Sequence, residues 1–179
     1  MSDPKDYVFH HLLKDGTPVT LRTACADDGD RIRWAFRNLE VETIYMRFFL
    51  CKTEISDAEL KQVTEADFNQ HVTLLVTIEQ DDQEIIIGGA SYIVADINAS
   101  RRSGEVAFLV EEDYQGRGIA SLLMQHLVRI GREVGLTRLE ADVLPYNNAM
   151  LTVFKQSGLP ITTQTQDGVV HVTLSLQIV

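Results

Sequence analysis

The order of apolar and polar positions predicts short strands alternating with helices. Residues 7–13 and 18–23 read as two strands around Lys14-Asp15-Gly16, since an Asp-Gly pair between such runs marks a hairpin. Ala26-Asp27-Asp28 offers helix N-caps, and Ile32, Ala35, Phe36 and Leu39 then recur at helical spacing. The single tryptophan, Trp34, falls off that stripe. Residues 43–49 read as helical or irregular, with Tyr45, Met46, Phe48 and Phe49 close together. Ser56-Asp57-Ala58-Glu59 has the spacing of a capping box and opens a short helix to about residue 65. A β-branched strand over 72–79, a turn at Asp81-Asp82 and a long strand over 84–95 follow, with Gly88-Gly89 marking a bulge or kink. Residues 98–104 read as a polar turn and 105–110 as a strand. The long helical pattern 119–134 ends near Gly135, a plausible C-cap. A strand over 138–144 and a helix over 147–156, closed by Ser157-Gly158, come next. Residues 159–165 and 169–178 form a last hairpin across Gln166-Asp167-Gly168.

No repeat, low-complexity segment or linker breaks this pattern. It predicts a mixed α/β sheet with helices covering its faces, one domain over residues 1–179. Composition adds exclusions rather than detail. With 45% hydrophobic and 23% charged residues the chain is ordinary for a globular protein. A net charge of −10 argues against nonspecific affinity for nucleic acid or anionic membrane. The same charge suits a cationic acceptor such as an amine, or serves only as a solubilising surface. Cys25 and Cys51 lack Cys-x-x-Cys spacing, so neither a disulfide framework nor a zinc site is expected. His10, His11, His71, His126 and His171 are scattered without metal-ligand spacing, and no metal is expected. The polar start has no apolar signal core and no run approaches a membrane span, which makes the cytoplasm the expected location.

The stretch most suggestive of chemistry is Gln115-Gly116-Arg117-Gly118-Ile119-Ala120, between the run Val106-Ala107-Phe108-Leu109-Val110 and the long helix. Strand, glycine turn and helix start together cradle an anion, because free backbone N–H groups and the helix dipole converge there. A pyrophosphate is the natural guest; a purely structural turn is the alternative. No Gly-Lys-Ser/Thr ends the loop, and it does not match Gly-x-Gly-x-x-Gly. It fits Gln/Arg-x-x-Gly-x-Gly/Ala through Gln115, Gly118 and Ala120. With Asn147 and Gly158 downstream, the last half of the chain resembles the GNAT superfamily of N-acetyltransferases.

That resemblance implies a mostly antiparallel sheet whose fourth and fifth core strands are parallel and splay apart at the cofactor, the first hairpin adding an edge strand. It implies acetyl-coenzyme A as co-substrate and a primary amine as acceptor, attacked directly in a ternary complex. It also implies backbone contacts to the pantetheine arm from Phe108, Leu109 and Val110. The loop residues Gln115, Gly116, Arg117, Gly118, Ile119 and Ala120 take the pyrophosphate, chiefly through amides. The Arg117 side chain either adds a charge-assisted contact or faces solvent. Asn147 contacts the cofactor arm, caps its helix, or does both.

Amine acetylation needs a neutral nitrogen, and a lysine amine titrates at about 10.4 in water, so the site must take up a proton. By alternation Glu105 shares a strand face with Ala107 and Leu109, away from Val106, Phe108 and Val110. Gly104-Glu105-Val106-Ala107-Phe108 resembles the Pat-type bacterial protein lysine acetyltransferases, which carry a glutamate base there; a merely solvated acid is the alternative. Glu140 on the next strand is the second-choice base. Glu111, Glu112 and Asp113 read as the solvent edge of the loop mouth. Phe154 stands where many family members have a tyrosine acid, so the thiolate leaves unaided or takes a proton from water. Asn147-Asn148-Ala149-Met150-Leu151 resembles the Asn-x-Ala-Met-Leu run of Pat-type enzymes, which also lack that tyrosine.

Pro160, in Gly158-Leu159-Pro160 where Gly-Phe is usual, predicts a distorted or edge strand start. Asp15-Gly16 and Tyr45-x-Arg47-Phe48-Phe49 fit the same subgroup. The implied division is an N-terminal hairpin at about 7–23, acceptor-side helices at about 27–66 and a coenzyme A core at about 72–179. The sequence carries no cyclic-nucleotide or ligase-like domain, unlike several Pat-type enzymes. The expected acceptor is a protein lysine, with a small amine or a non-catalytic coenzyme A-binding module as alternatives. Acceptor specificity is placed around residues 31–52 and 98–103, and oligomeric state stays open.

Overall fold

The computed structural model describes residues 6–96 and 102–177; most of the polar turn anticipated over 98–104 lies outside them. The strands are β1 (Val8–Leu12), β2 (Pro18–Thr23), β3 (His71–Gln80), β4 (Gln83–Val94), β5 (Ser103–Val110), β6 (Arg138–Val143), β7 (Ile161–Gln166) and β8 (Val169–Ser175). The helices are α1 (Gly29–Arg37), α2 (Val41–Phe48), α3 (Asp57–Thr64), α4 (Ile119–Glu133) and α5 (Asn148–Lys155). One sheet takes the order β1-β2-β3-β4-β5-β6-β8-β7. Neighbouring strands are antiparallel except β5 and β6, which are parallel. The mixed sheet and its parallel pair are those anticipated, with β1 as the extra edge strand. Pro160 precedes β7, the strand at the opposite edge, where the missing N–H costs no ladder bond.

Turn chemistry sets the registers. Asp81 and Asp82 both adopt positive φ, at 51° and 59°, and close a two-residue turn between Gln80 and Gln83. Asp167 and Gly168 do the same between β7 and β8. The first hairpin is wider, since Leu12 pairs with Pro18 and Leu13 N–H donates to Thr17 O at 2.9 Å. In β4 the register jumps between Val76↔Gly88 and Thr77↔Ile86, leaving Ile87 as the extra residue of a bulge. Gly88 is required there, because a Cβ would stand 2.9 Å from Ile119 Cγ2 at the start of α4.

Alternation sorts the two faces. Val72, Leu74, Val76, Tyr92 and Val106 form the main core with Leu123, Leu127 and Ile130 of α4 and Phe154 of α5. Burying each such side chain contributes about 1.5–3 kcal/mol. On the other face Ile32 and Phe36 of α1 lie over Leu75, Ala107 and Leu109 across a cavity of about 350 Å³. Trp34 is exposed on α1 and lines the rim of that cavity. The capping box at α3 forms as anticipated, with Glu59 N–H donating to Ser56 Oγ at 3.2 Å and Ser56 N–H to Glu59 Oε2 at 2.9 Å.

Asp28 takes the N-cap position of α1, as anticipated, but its side chain caps no amide of that helix. Its side chain is fully buried and accepts two hydrogen bonds from Arg22, at 2.7 and 2.6 Å. Arg22 also donates to Glu84, so the cluster ties β2, β4 and the start of α1 together. A guanidinium offers a carboxylate two charge-assisted bonds, which outcompete a single helix amide. No helix is long and apolar enough to cross a membrane among the described residues.

Candidate active site

β4 pairs with β5 from Gly104 to Val110, opposite Val94 to Gly88. β6 pairs with β5 only from Ser103 to Glu105, opposite Arg138 to Glu140. Beyond Glu105 the strands part, and Ala141 to Val143 pair with β8 alone. Val106 to Val110 therefore present an edge without a strand partner to a cleft of about 1080 Å³. Such an edge offers backbone groups to an extended amide-bearing chain. Gln115 braces its far end, donating to Val110 O at 3.0 Å and to Thr43 Oγ1 at 3.3 Å.

The glycine loop closes one end of the cleft. Gly116 and Gly118 have φ of 74° and 94°, which a side chain would strain. Nothing lies within 4 Å of a Cβ built on Gly116, so the loop is open on that side. The first helical bond of α4 runs from Leu122 N–H to Gly118 O, leaving the amides of Ile119, Ala120 and Ser121 ahead of it. No acid stands in that first turn to neutralise the positive helix end. These residues fit a diphosphate: an open concavity, free amides and an unquenched dipole.

Ten of the eleven anticipated site residues line this one cleft: Glu105, Phe108, Leu109, Val110, Gln115, Gly116, Gly118, Ile119, Ala120 and Asn147. The Ile119 side chain is buried under Gly88, which leaves only its backbone for a ligand. The Arg117 side chain turns away. It donates to Asp15 Oδ2 at 2.9 Å and Asp113 O at 2.7 Å, and lies over the Tyr114 ring at 4.8 Å. Asn147 caps α5, with Oδ1 accepting from Met150 N–H at 3.2 Å.

Glu105 is exposed at the point where β5 and β6 separate, and no hydrogen bond or ion pair holds it among the described residues. Glu140 sits beside it in register but is paired with Arg138 at 2.9 Å, so of the two carboxylates Glu105 is the free one. Arg47 of α2 lines the cleft near enough to feel the Glu105 charge, without forming an ion pair. Burial pulls the Arg47 pKa down, and Glu105 and Glu59 pull it back.

Glu111 differs from the solvent-edge reading. Its Oε2 is buried without a hydrogen-bond partner among the described residues, and burial, then Asp113 and Glu112, push its pKa up. Glu112 accepts from Glu40 N–H at 2.8 Å and so pins the start of α2 to the loop mouth. Sequence reasoning missed Lys14, Asp142 and Tyr146, which also line the cleft. Only the packing of the β1–β2 turn against the glycine loop brings Lys14 there, whereas Asp142 and Tyr146 lie close in sequence to Glu140 and Asn147.

The family model described as the acetyltransferase (GNAT) family matches residues 38–159. An acetyltransferase of Pseudomonas aeruginosa is 28% identical over 138 residues, 77% of this chain and 73% of that one. The acetyltransferase Pat of Mycolicibacterium smegmatis is 35% identical over 146 residues, 82% of this chain, which thus spans only 42% of that relative. Among solved structures, the GNAT domain of S. lividans PAT superposes with a TM-score of 0.86 at 30% identity, covering 97% of this chain and 99% of that domain. A cAMP-binding acyltransferase from Mycobacterium smegmatis superposes with a TM-score of 0.64 at 27% identity, covering 96% of this chain and 48% of that one. A matched family model over most of the chain, the splayed parallel pair and the open glycine loop agree: this chain belongs to the acetyltransferase (GNAT) family and is an acyl-coenzyme A-dependent N-acetyltransferase.

Proposed function

We propose that the protein transfers the acetyl group of acetyl-coenzyme A to a lysine side chain of an acceptor protein. The observation that carries this reading is Glu105, a free carboxylate at the separation of β5 and β6, on the same strand as the open edge. Acetyl-coenzyme A supplies the activated thioester when bound. The backbone of Phe108, Leu109 and Val110 holds its pantetheine arm, and Gln115 keeps that edge taut. The amides of Gly116, Arg117, Gly118, Ile119 and Ala120 would take its diphosphate, and Asn147 would contact its arm. Glu105 takes the proton of the incoming ammonium, directly or through one water, so that the amine attacks in its neutral form. Phe154 has no proton to give, so the departing thiolate takes one from water, while the nitrogen sheds its second proton to solvent as the amide forms.

The lysine acceptor is supported by the motif resemblance to the Pat type and by the similarity to the acetyltransferase Pat. The net charge of −10 suits a cationic acceptor. Residues 1–179 act as one unit in this account, with helices α1 to α3 on the acceptor side. Mass spectrometry of candidate proteins and amines incubated with the protein and acetyl-coenzyme A tests it. The expected result is an acetyl increment on protein lysines. Acetylation confined to small amines, or none at all despite bound coenzyme A, would replace it with one of the other readings.

A further inference from the structure

Lys14 lies in the β1–β2 turn, outside the stretch matched by the family model. Its stem runs along Gly118: a Cβ built there would be 3.4 Å from Lys14 Cε and 3.8 Å from both Cδ and Cγ. Lys14 lines the cleft beside the glycine loop. The turn is clamped in this position by Arg117, which donates to Asp15 at 2.9 Å while gripping Asp113 O and the Tyr114 ring. Asp15 is held in turn by Thr17 N–H at 3.0 Å. The arginine of the loop is thus committed to anchoring the hairpin. The lysine carried by that hairpin has no hydrogen bond or ion pair among the described residues.

An ammonium at the positive end of a helix is repelled unless an anion lies between them. The first turn of α4 holds no acid to fill that role. We propose that Lys14 is a phosphate ligand of the acyl-coenzyme A site, so that the N-terminal hairpin forms part of the cofactor site. The proposal rests on the acyl-coenzyme A reading and adds a contact the loop motif does not contain. The bound group is a phosphate of the cofactor, either its diphosphate or its 3′-phosphate.

Calorimetric titration of the full chain with coenzyme A and with dephospho-coenzyme A, which lacks the 3′-phosphate, tests this on wild type, Lys14→Gln and Lys14→Arg. The Gln variant should bind coenzyme A about tenfold more weakly, with a shallower dependence of affinity on salt, and the Arg variant should recover most of the loss. Equal weakening for both ligands assigns the contact to the diphosphate; weakening for coenzyme A alone assigns it to the 3′-phosphate. Unliganded thermal unfolding of the Gln variant should match wild type. Wild-type binding with an unchanged Gln variant overturns the Lys14 contact alone. Absence of coenzyme A binding to wild type overturns the cofactor reading beneath it.

Discussion

Phe154 of α5 meets Phe108 of β5 edge to face, with ring centroids 5.9 Å apart and planes at 73°. The contact joins the helix after the splay to the open edge, and both residues line the cleft. Phe154 is 1% exposed, so the site where a family tyrosine would offer a proton is here a core position.

Phe154→Ala should therefore act first on stability, at a cost of about 3–5 kcal/mol measured by urea unfolding. Phe154→Tyr should fold and leave transfer within a few-fold of wild type. A large rate gain in the tyrosine variant would reveal an acid-ready geometry that this account lacks.

Gly118→Asp places a side chain at φ 94° and a negative charge against the diphosphate cradle and the Lys14 stem. Coenzyme A affinity should collapse while the far-ultraviolet circular dichroism stays that of wild type. Unchanged affinity by calorimetry would remove the loop from the cofactor site.

The buried Arg22–Asp28 pair predicts acid sensitivity. Burial pushes the Asp28 carboxyl up, but the Arg22 guanidinium and the Cys25 amide more than reverse this and leave a pKa of about 2. The folded value lies below the ordinary 3.9 or so of an unfolded aspartate, so the stabilisation is whole above about pH 4 and is lost as pH falls toward about 2. Asp28→Asn should cost about 2–3 kcal/mol at neutral pH, because Glu84 still pairs with Arg22, and should flatten the unfolding profile between pH 4 and 2. A profile as steep as wild type would assign acid unfolding to other carboxylates.

How much of this was readable in the chain depends on the range of the interaction. The Asp81-Asp82 and Asp167-Gly168 turns, the Ser56 capping box and the 115–120 loop rest on neighbouring residues, and each was legible. The face of Glu105 followed from strand alternation. The N-cap position of Asp28 was legible but its ion pair was not, because a helix cap and a buried ion partner call for the same residue type, and the deciding guanidinium is on β2. Neither reading of the Arg117 side chain, a cofactor contact or a solvent-facing group, foresaw its partner Asp15, which lies 102 positions away. Glu111 read as solvent-facing because charge signals exposure, while its burial depends on the packing around β5 and the loop mouth.

A second pH response comes from β1 and α4. His126 Nδ1 is 2.7 Å from Tyr7 Oη and its Nε2 is 3.1 Å from His11 Nε2. Burial, then His11 and Arg129, lower the His126 pKa to about 4. A folded value below the unfolded 6.5 or so means the stabilisation is present above about pH 6.5 and is lost as pH falls toward about 4. His126→Gln should remove part of that step in chemical denaturation, the rest belonging to His71, which burial also pushes down. An unaltered step would place the proton uptake elsewhere.

The most direct test of the account is the rate of acetyl transfer to a lysine acceptor by Glu105→Gln, followed across pH beside coenzyme A binding. Glutamine keeps the size of Glu105 and removes its basicity. Turnover at neutral pH should fall by about 10²–10⁴-fold. Coenzyme A affinity should be unchanged, and the residual rate should climb with pH as solvent supplies the neutral amine. Near-full turnover at neutral pH with tight coenzyme A binding would contradict Glu105 as the base and shift the role to Glu140 or a water chain.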